Sequence, residues 1–194
     1  MDSNKFLFSR PFSSAQKAAF LDRDGVINVD HAYVYKKNDF DFLPGAIEGV
    51  AKLVEKGYAP VLITNQSGLA RGYFTIEDFR KLCFWMAGVF EKHKAPLAAI
   101  YFCPHLSTAT IEQYRKQCNC RKPEPGMILS AAQDLNLDLQ RSFFIGDKES
   151  DMQAAQRAGI PKRFLIQDGK SGETGSGSLA TDLAKNILDI SEKL

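Results

Sequence analysis

Apolar residues along the chain follow two rhythms. Short continuous runs at 17–22, 59–64, 98–102, 142–145 and 163–166 stop abruptly at polar or charged residues, as strands buried on both faces do. Between them, apolar residues recur at helical spacing. Ile47, Val50, Leu53 and Val54 mark a helix over 46–56 that Gly57 stops. Thr75, with Asp78 three residues on, opens a second helix over 75–94, which carries Phe79, Leu82, Cys83, Met86 and Phe90 on one side and ends before Pro96. Two more are predicted at 127–135 and at 150–158, the latter stopped by Gly159. Strands alternating with helices at these lengths predict an α/β fold: three layers, with a doubly wound, mostly parallel sheet covered on both faces.

The ends depart from the rhythm. Residues 1–15 precede it and read as a frayed, solvated extension, leaving 16–194 as a single domain. The Gly- and Ser-rich stretch 168–178 reads as a flexible connection. Its Gly169, Lys170 and Ser171 do not make a phosphate-binding P-loop, because Phe164 stands where that motif needs a glycine. Residues 179–194 are predicted to form an amphipathic helix docked on the sheet.

Composition narrows the function classes. With 194 residues, 44% of them apolar, the chain can own a core without disulfides or partners, so a monomer is the expectation. Twenty-five Lys and Arg against 23 Asp and Glu give a net charge of +2, without the clustered basic face of a nucleic-acid binder. Charges or glycines interrupt every apolar run before membrane-spanning length. The N-terminal run Phe6, Leu7, Phe8 is too short for a secretory signal, so a cytoplasmic location is expected.

In a parallel sheet, ligands sit beyond the carboxyl ends of the strands. Here those ends carry Asp22 and Asp24, then Thr64 and Asn65, then a Cys/His cluster, then Asp147. Three carboxylates on one rim need a counter-charge, and Mg²⁺ with oxygen ligands and a phosphate supplies it. Asp22 is then placed to attack phosphorus, and Asp24 to protonate the leaving oxygen and later deprotonate water. These roles need divergent pKa values: Asp22 kept ionised by metal and cations, Asp24 kept protonated by a neighbouring carboxylate. Thr64, Asn65 and Lys122 have the chemistry to hold a transferring phosphoryl group. Lys148 and Asp151 open a helix, where Asp151 suits the dipole.

Cys103 and His105, then twelve residues, then Cys118 and Cys120 offer three thiols and one imidazole in a single loop, the ligand set of a closed tetrahedral Zn²⁺ site. With four protein ligands the zinc organises rather than catalyses, and it would hold Arg121 and Lys122 over the rim. Cys83 is expected in the core and His93 in solvent.

Five segments, FLDRDGVIN at 20–28 continuing into Asp30 and His31, TNQSGLARG at 64–72, CPH at 103–105, CNCRKPEPGM at 118–127 and GDK at 146–148, resemble the haloacid-dehalogenase (HAD) phosphatases. Within that superfamily the chain looks like the D-glycero-D-manno-heptose 1,7-bisphosphate 7-phosphatase family. The resemblance implies a HAD-like fold, with Asp22 as nucleophile, Asp24 as acid/base, and Mg²⁺ on Asp22, the Asp24 carbonyl and Asp147. It implies that Thr64 and Lys122 stabilise the phosphoryl group, and that Asp30, His31, Tyr33, Asn65, Gln66, Ser67, Arg121 and Lys148 contact a small sugar-phosphate substrate. It further implies release of the 7-phosphate during ADP-heptose synthesis for lipopolysaccharide.

Two departures are mild: Leu106 replaces a second histidine common in relatives, and 1–15 lies outside the pattern. Few residues are left between Asp22 and Thr64 once a helix and a strand are placed, so no large cap domain is expected. Histidinol-phosphate phosphatase shares the nucleophile and zinc loop, but the loop at 68–74 looks more like the heptose enzymes. A zinc-organised nucleic-acid module is a third reading, weakened by the balanced charge.

Overall fold

The computed structural model describes residues 4–167 and 177–194. Its strands are β1 Lys5–Leu7, β2 Gln16–Leu21, β3 Ala59–Asn65, β4 Ala99–Cys103, β5 Leu137–Gly146, β6 Lys162–Ile166 and β7 Asp182–Ala184. They form one sheet in the order β1-β4-β3-β2-β5-β6-β7, parallel except for β1, which runs antiparallel to β4. The helices are α1 Ala46–Glu55, α2 Ser67–Arg71, α3 Ile76–Lys92, α4 Gly126–Leu135, α5 Glu149–Arg157 and α6 Ile187–Lys193.

Successive strand residues face opposite sides, so β2 divides its side chains between two cores. Ala19 and Leu21 join Val50, Leu53, Phe79, Met86, Phe90 and Ile187 on one face; Ala18 and Phe20 join Val61, Ile63, Met127, Ile128 and Met152 on the other. Helices therefore cover both faces, the expected α/β architecture. Thr75 caps α3 in a reciprocal box with Asp78. Cys83 is fully buried, and His93 is exposed at the end of α3.

The ends differ from expectation. The described part of the extension is docked, not frayed. β1 pairs with β4, Phe6 stacks on Phe102 at 5.3 Å between centroids, and Lys5 meets Asp134 at 2.5 Å. The C-terminal segment is not one helix. β7 adds to the sheet edge beside β6, and Asn186 then caps α6 by accepting from the Asp189 N–H at 2.9 Å. The rejected P-loop residues, 169–171, and most of the expected flexible connection lie outside the described residues. β5 starts five residues earlier than the apolar run, because Leu137 and Asp138 pair with Gln16 and Lys17. No helix among the described residues is long and apolar enough to cross a membrane.

Candidate active site and metal centre

β2 delivers Asp22, and the turn after it is set by Gly25. At φ +81° and with Asp147 so close that a β-carbon would lie 2.4 Å from its Oδ2, only glycine fits. This contact brings the loop after β2 against the end of β5. The ligand atoms of Asp22, Asp147 and Asp151 all lie within 4.8 Å of one another. Lys122 closes the group: its Nζ lies 2.9 Å from Asp22 Oδ1, 2.7 Å from Asp151 Oδ1 and 2.9 Å from the Ile63 carbonyl.

Asp151 is the carboxylate that sequence reasoning undervalued. It is fully buried, neutralises Lys122 and accepts from the Lys148 N–H, so it is more than a dipole partner at the start of α5. Its place in the first turn of α5, just after Asp147 at the end of β5, was the available signal.

Charge in this centre follows burial. Burial pushes the Asp22 carboxyl up from 3.8 to about 7, with Lys122 opposing and Asp151 and Asp147 reinforcing. Burial raises Asp147 as well, against Lys148. Burial would lower Lys122, but Asp151 and Asp22 outweigh it and hold the ammonium above its ordinary range.

Asp24 corrects an expectation. Burial favours its neutral form, but the Arg23 charge and hydrogen bonds from Arg23, Asn28 and Gln66 outweigh burial and hold the carboxyl below its ordinary value. Burial thus raises the Asp22 carboxyl while the pairing with Arg23 lowers that of Asp24, and the positive charge expected to keep Asp22 ionised is that of the metal its carboxylate would hold.

A cleft of about 420 Å³ opens over these groups, lined by Asp22, Asp24, Asp30, Tyr33, Thr64, Asn65, Gln66, Ser67, Arg121, Lys122 and Lys148, with Ser150 and Asp151. His31 is not part of that lining: its Nε2 lies 2.8 Å from Asp41 Oδ2. Asn65 reaches the cleft but uses both ends of its amide on the Lys122 backbone, at 3.1 Å each, which fixes where the lysine enters. Gln66 donates to Thr64 Oγ1 at 2.8 Å and to Asp24 Oδ2 at 3.2 Å. Lys148 leans across to Asp30 at 3.2 Å.

Cys118 follows Cys103 by fifteen positions, yet their sulfurs lie 3.6 Å apart. Cys120 Sγ is 3.2 Å from Cys103, 3.3 Å from Cys118 and 3.3 Å from His105 Nδ1. A tetrahedron built on Zn–S bonds of 2.3 Å has edges of about 3.8 Å, so the four donors fit a small metal after slight expansion. The hydrogen bond shared by Cys103 and Cys120 draws the Cys120 thiol down to about 5 and raises that of Cys103 in exchange. Gly126 lets α4 pack under this loop, since a β-carbon there would lie 2.3 Å from the Asn119 carbonyl. Arg121 Nη1 donates to the His105 carbonyl at 3.2 Å, joining the cluster to the cleft.

The carboxylate centre also fits a cation. Asp147 Oδ1 is buried with no hydrogen-bond partner, an arrangement a bound metal ion relieves.

Comparison with known proteins agrees with this geometry. A HAD-hydrolase-like family model matches residues 119–189. The D-glycero-β-D-manno-heptose-1,7-bisphosphate 7-phosphatases of Photorhabdus laumondii and Vibrio cholerae are each 47% identical to the chain, covering 89% and 91% of it and 92% and 95% of their own lengths. The chain belongs to the D-glycero-β-D-manno-heptose-1,7-bisphosphate 7-phosphatase family. The D,D-heptose 1,7-bisphosphate phosphatase of B. bronchiseptica, solved with magnesium and phosphate, superposes with a TM-score of 0.77 at 32% identity, covering 91% of this chain and 97% of that one. A HAD-like phosphatase from Mesorhizobium loti superposes with a TM-score of 0.84 at 30% identity, covering 100% and 95%. In this heptose-bisphosphate phosphatase family member, the fold is the mostly parallel α/β sheet that the apolar rhythm predicts, in the HAD-like form that the resemblance implies.

Proposed function

We propose that the chain is a Mg²⁺-dependent phosphomonoesterase that removes the 7-phosphate of D-glycero-β-D-manno-heptose 1,7-bisphosphate, serving ADP-heptose synthesis for lipopolysaccharide. The observation that carries the reading is the meeting of Asp22, Asp147, Asp151 and Lys122 beneath one cleft in a chain 47% identical to such phosphatases.

Asp22 attacks the phosphorus and becomes an aspartyl-phosphate; Asp24 gives a proton to the departing sugar oxygen, then takes one from the water that hydrolyses the intermediate. Asp22, the Asp24 carbonyl and Asp147 would hold Mg²⁺, which would supply the positive charge that neutralises the phosphate and favours the ionised form of Asp22. A dianionic phosphate entering beside Asp24 opposes Arg23 and moves the carboxyl upward, toward the protonated form the first step needs. Lys122, held by Asp22 and Asp151, and Thr64 face the phosphoryl oxygens. Asp30, Tyr33, Gln66, Ser67, Arg121 and Lys148 contact the sugar and its second phosphate, with Asn65 and His31 bracing their neighbours.

Cys103, His105, Cys118 and Cys120 would hold Zn²⁺, which would order the loop that presents Arg121 and Lys122. Free thiols at all four cysteines suit a reducing cytoplasm. The reading takes a monomer as the working unit, because a chain of 194 residues can own a core without a partner.

The test is phosphate release from heptose 1,7-bisphosphate, fructose 1,6-bisphosphate and histidinol phosphate, with Mg²⁺ and with chelator. Heptose bisphosphate is expected to give the highest kcat/KM, and only with Mg²⁺. Preference for histidinol phosphate, or undiminished turnover in chelator, overturns the reading.

A further inference from the structure

Arg23 is fully buried and is the largest such side chain among the described residues. A guanidinium taken out of water is strongly destabilising unless its fork is matched, so its partners define its role. Nη2 donates to Asp24 Oδ1 at 2.7 Å and Oδ2 at 2.8 Å, and Nε reaches Oδ1 at 3.2 Å. The same Nη2 donates to the Val34 carbonyl at 3.0 Å. The Phe79 ring lies beside the guanidinium, 5.7 Å away.

Val34 ends the loop that carries Asp30, Ala32 and Tyr33 to the cleft. Ala32 and Tyr33 are both left-handed, at φ 57° and 55°, a conformation non-glycine residues keep only when surrounding contacts hold it. The Tyr33 ring meets Tyr73 edge-on at 4.8 Å, but the anchor on the inner side of the loop is Arg23.

We propose that Arg23 is a positioning residue that ties the Asp24 carboxylate to the 30–34 loop, so that the acid/base group and the sugar-recognition loop keep one register. The proposal rests on the reading of Asp24 as acid/base and adds its mechanical partner. Lysine is a poor substitute: its single ammonium has no second nitrogen to hold Asp24 Oδ1 as Nε does while another spans Asp24 and the Val34 carbonyl.

Two arms test this. In the kinetic arm, Arg23→Lys, Asp24→Asn and the double variant are compared on heptose bisphosphate and on p-nitrophenyl phosphate, whose leaving group departs without a proton. Arg23→Lys is expected to lower kcat on the sugar phosphate by roughly 10- to 100-fold and to raise KM, with the kcat loss vanishing in the Asp24→Asn background. First-turnover release of p-nitrophenolate should change far less. Independent, multiplying losses, or equal losses on both substrates in the first turnover, overturn the proposal.

The second arm leaves Arg23 in place and needs no turnover. Hydrogen exchange over residues 30–36 should accelerate several-fold in Asp24→Asn, whereas exchange over α4 should not change. Unchanged exchange over 30–36 overturns the proposal even if Arg23→Lys does not fold. A wild type inactive on heptose bisphosphate would count against the substrate reading alone, because the exchange arm decides the coupling by itself.

Discussion

At the residue scale, the aspartates carry the account. Replacing Asp22 with asparagine removes the nucleophile but keeps the volume, so phosphate release should fall by roughly 10³-fold or more while the circular dichroism spectrum stays that of wild type. Turnover within tenfold of wild type contradicts the assignment. The raised pKa of Asp22 makes a separate statement about stability. The folded protein binds this proton more tightly than the unfolded chain, so the contribution is complete below 3.8 and is lost as pH rises through about 7. In chelator, the Tm of wild type relative to Asp22→Asn should therefore fall across that window, and Mg²⁺ should restore part of it. A difference that stays flat with pH contradicts the burial of that carboxylate. Asp22, Asp147 and Lys122 were legible in the sequence because each directly follows an apolar run or a strong cysteine signal. The burial of Arg23 and the ion pair of Asp151 were not, because both depend on which distant elements the sheet brings together.

At the element scale, helices with strong periodicity and caps were predictable to within two residues, as α1 and α3 show. The five-residue α2 and the three-residue β1 and β7 are too short for periodicity, and they exist because neighbours pair with them or cover them. Phe6 on β1 illustrates this: its ring contacts Phe79, Phe84 and Phe102, so Phe6→Ala should cost about 1–3 kcal/mol in chemical denaturation. An unchanged midpoint contradicts the docking of the extension. The Cys/His loop makes a prediction of its own. Cys118→Ser and Cys120→Ser together should abolish zinc retention measured by elemental analysis and raise KM for the bisphosphate more than they lower kcat, because Arg121 loses its anchor. Full metal content, or wild-type KM without metal, contradicts an organising role.

At the scale of the whole molecule, parallel strands put four strand ends on one rim, and the cleft draws on residues from Asp22 to Asp151 that meet only because β2 lies between β3 and β5. Gly25 against Asp147 is one of the points where this assembly is tight. Gly25→Ala should separate the two aspartates and reduce Mg²⁺ affinity, read by titrating activity with the metal, as well as lower Tm. Wild-type metal dependence there contradicts the close approach. The most direct trial of the whole account is ³¹P NMR of heptose 1,7-bisphosphate turned over with Mg²⁺ by wild type and by Asp22→Asn side by side. The account predicts that wild type converts the 7-phosphate resonance to inorganic phosphate, leaves the anomeric phosphate intact, and that the variant leaves both untouched; loss of the anomeric phosphate, or turnover by the variant, contradicts it.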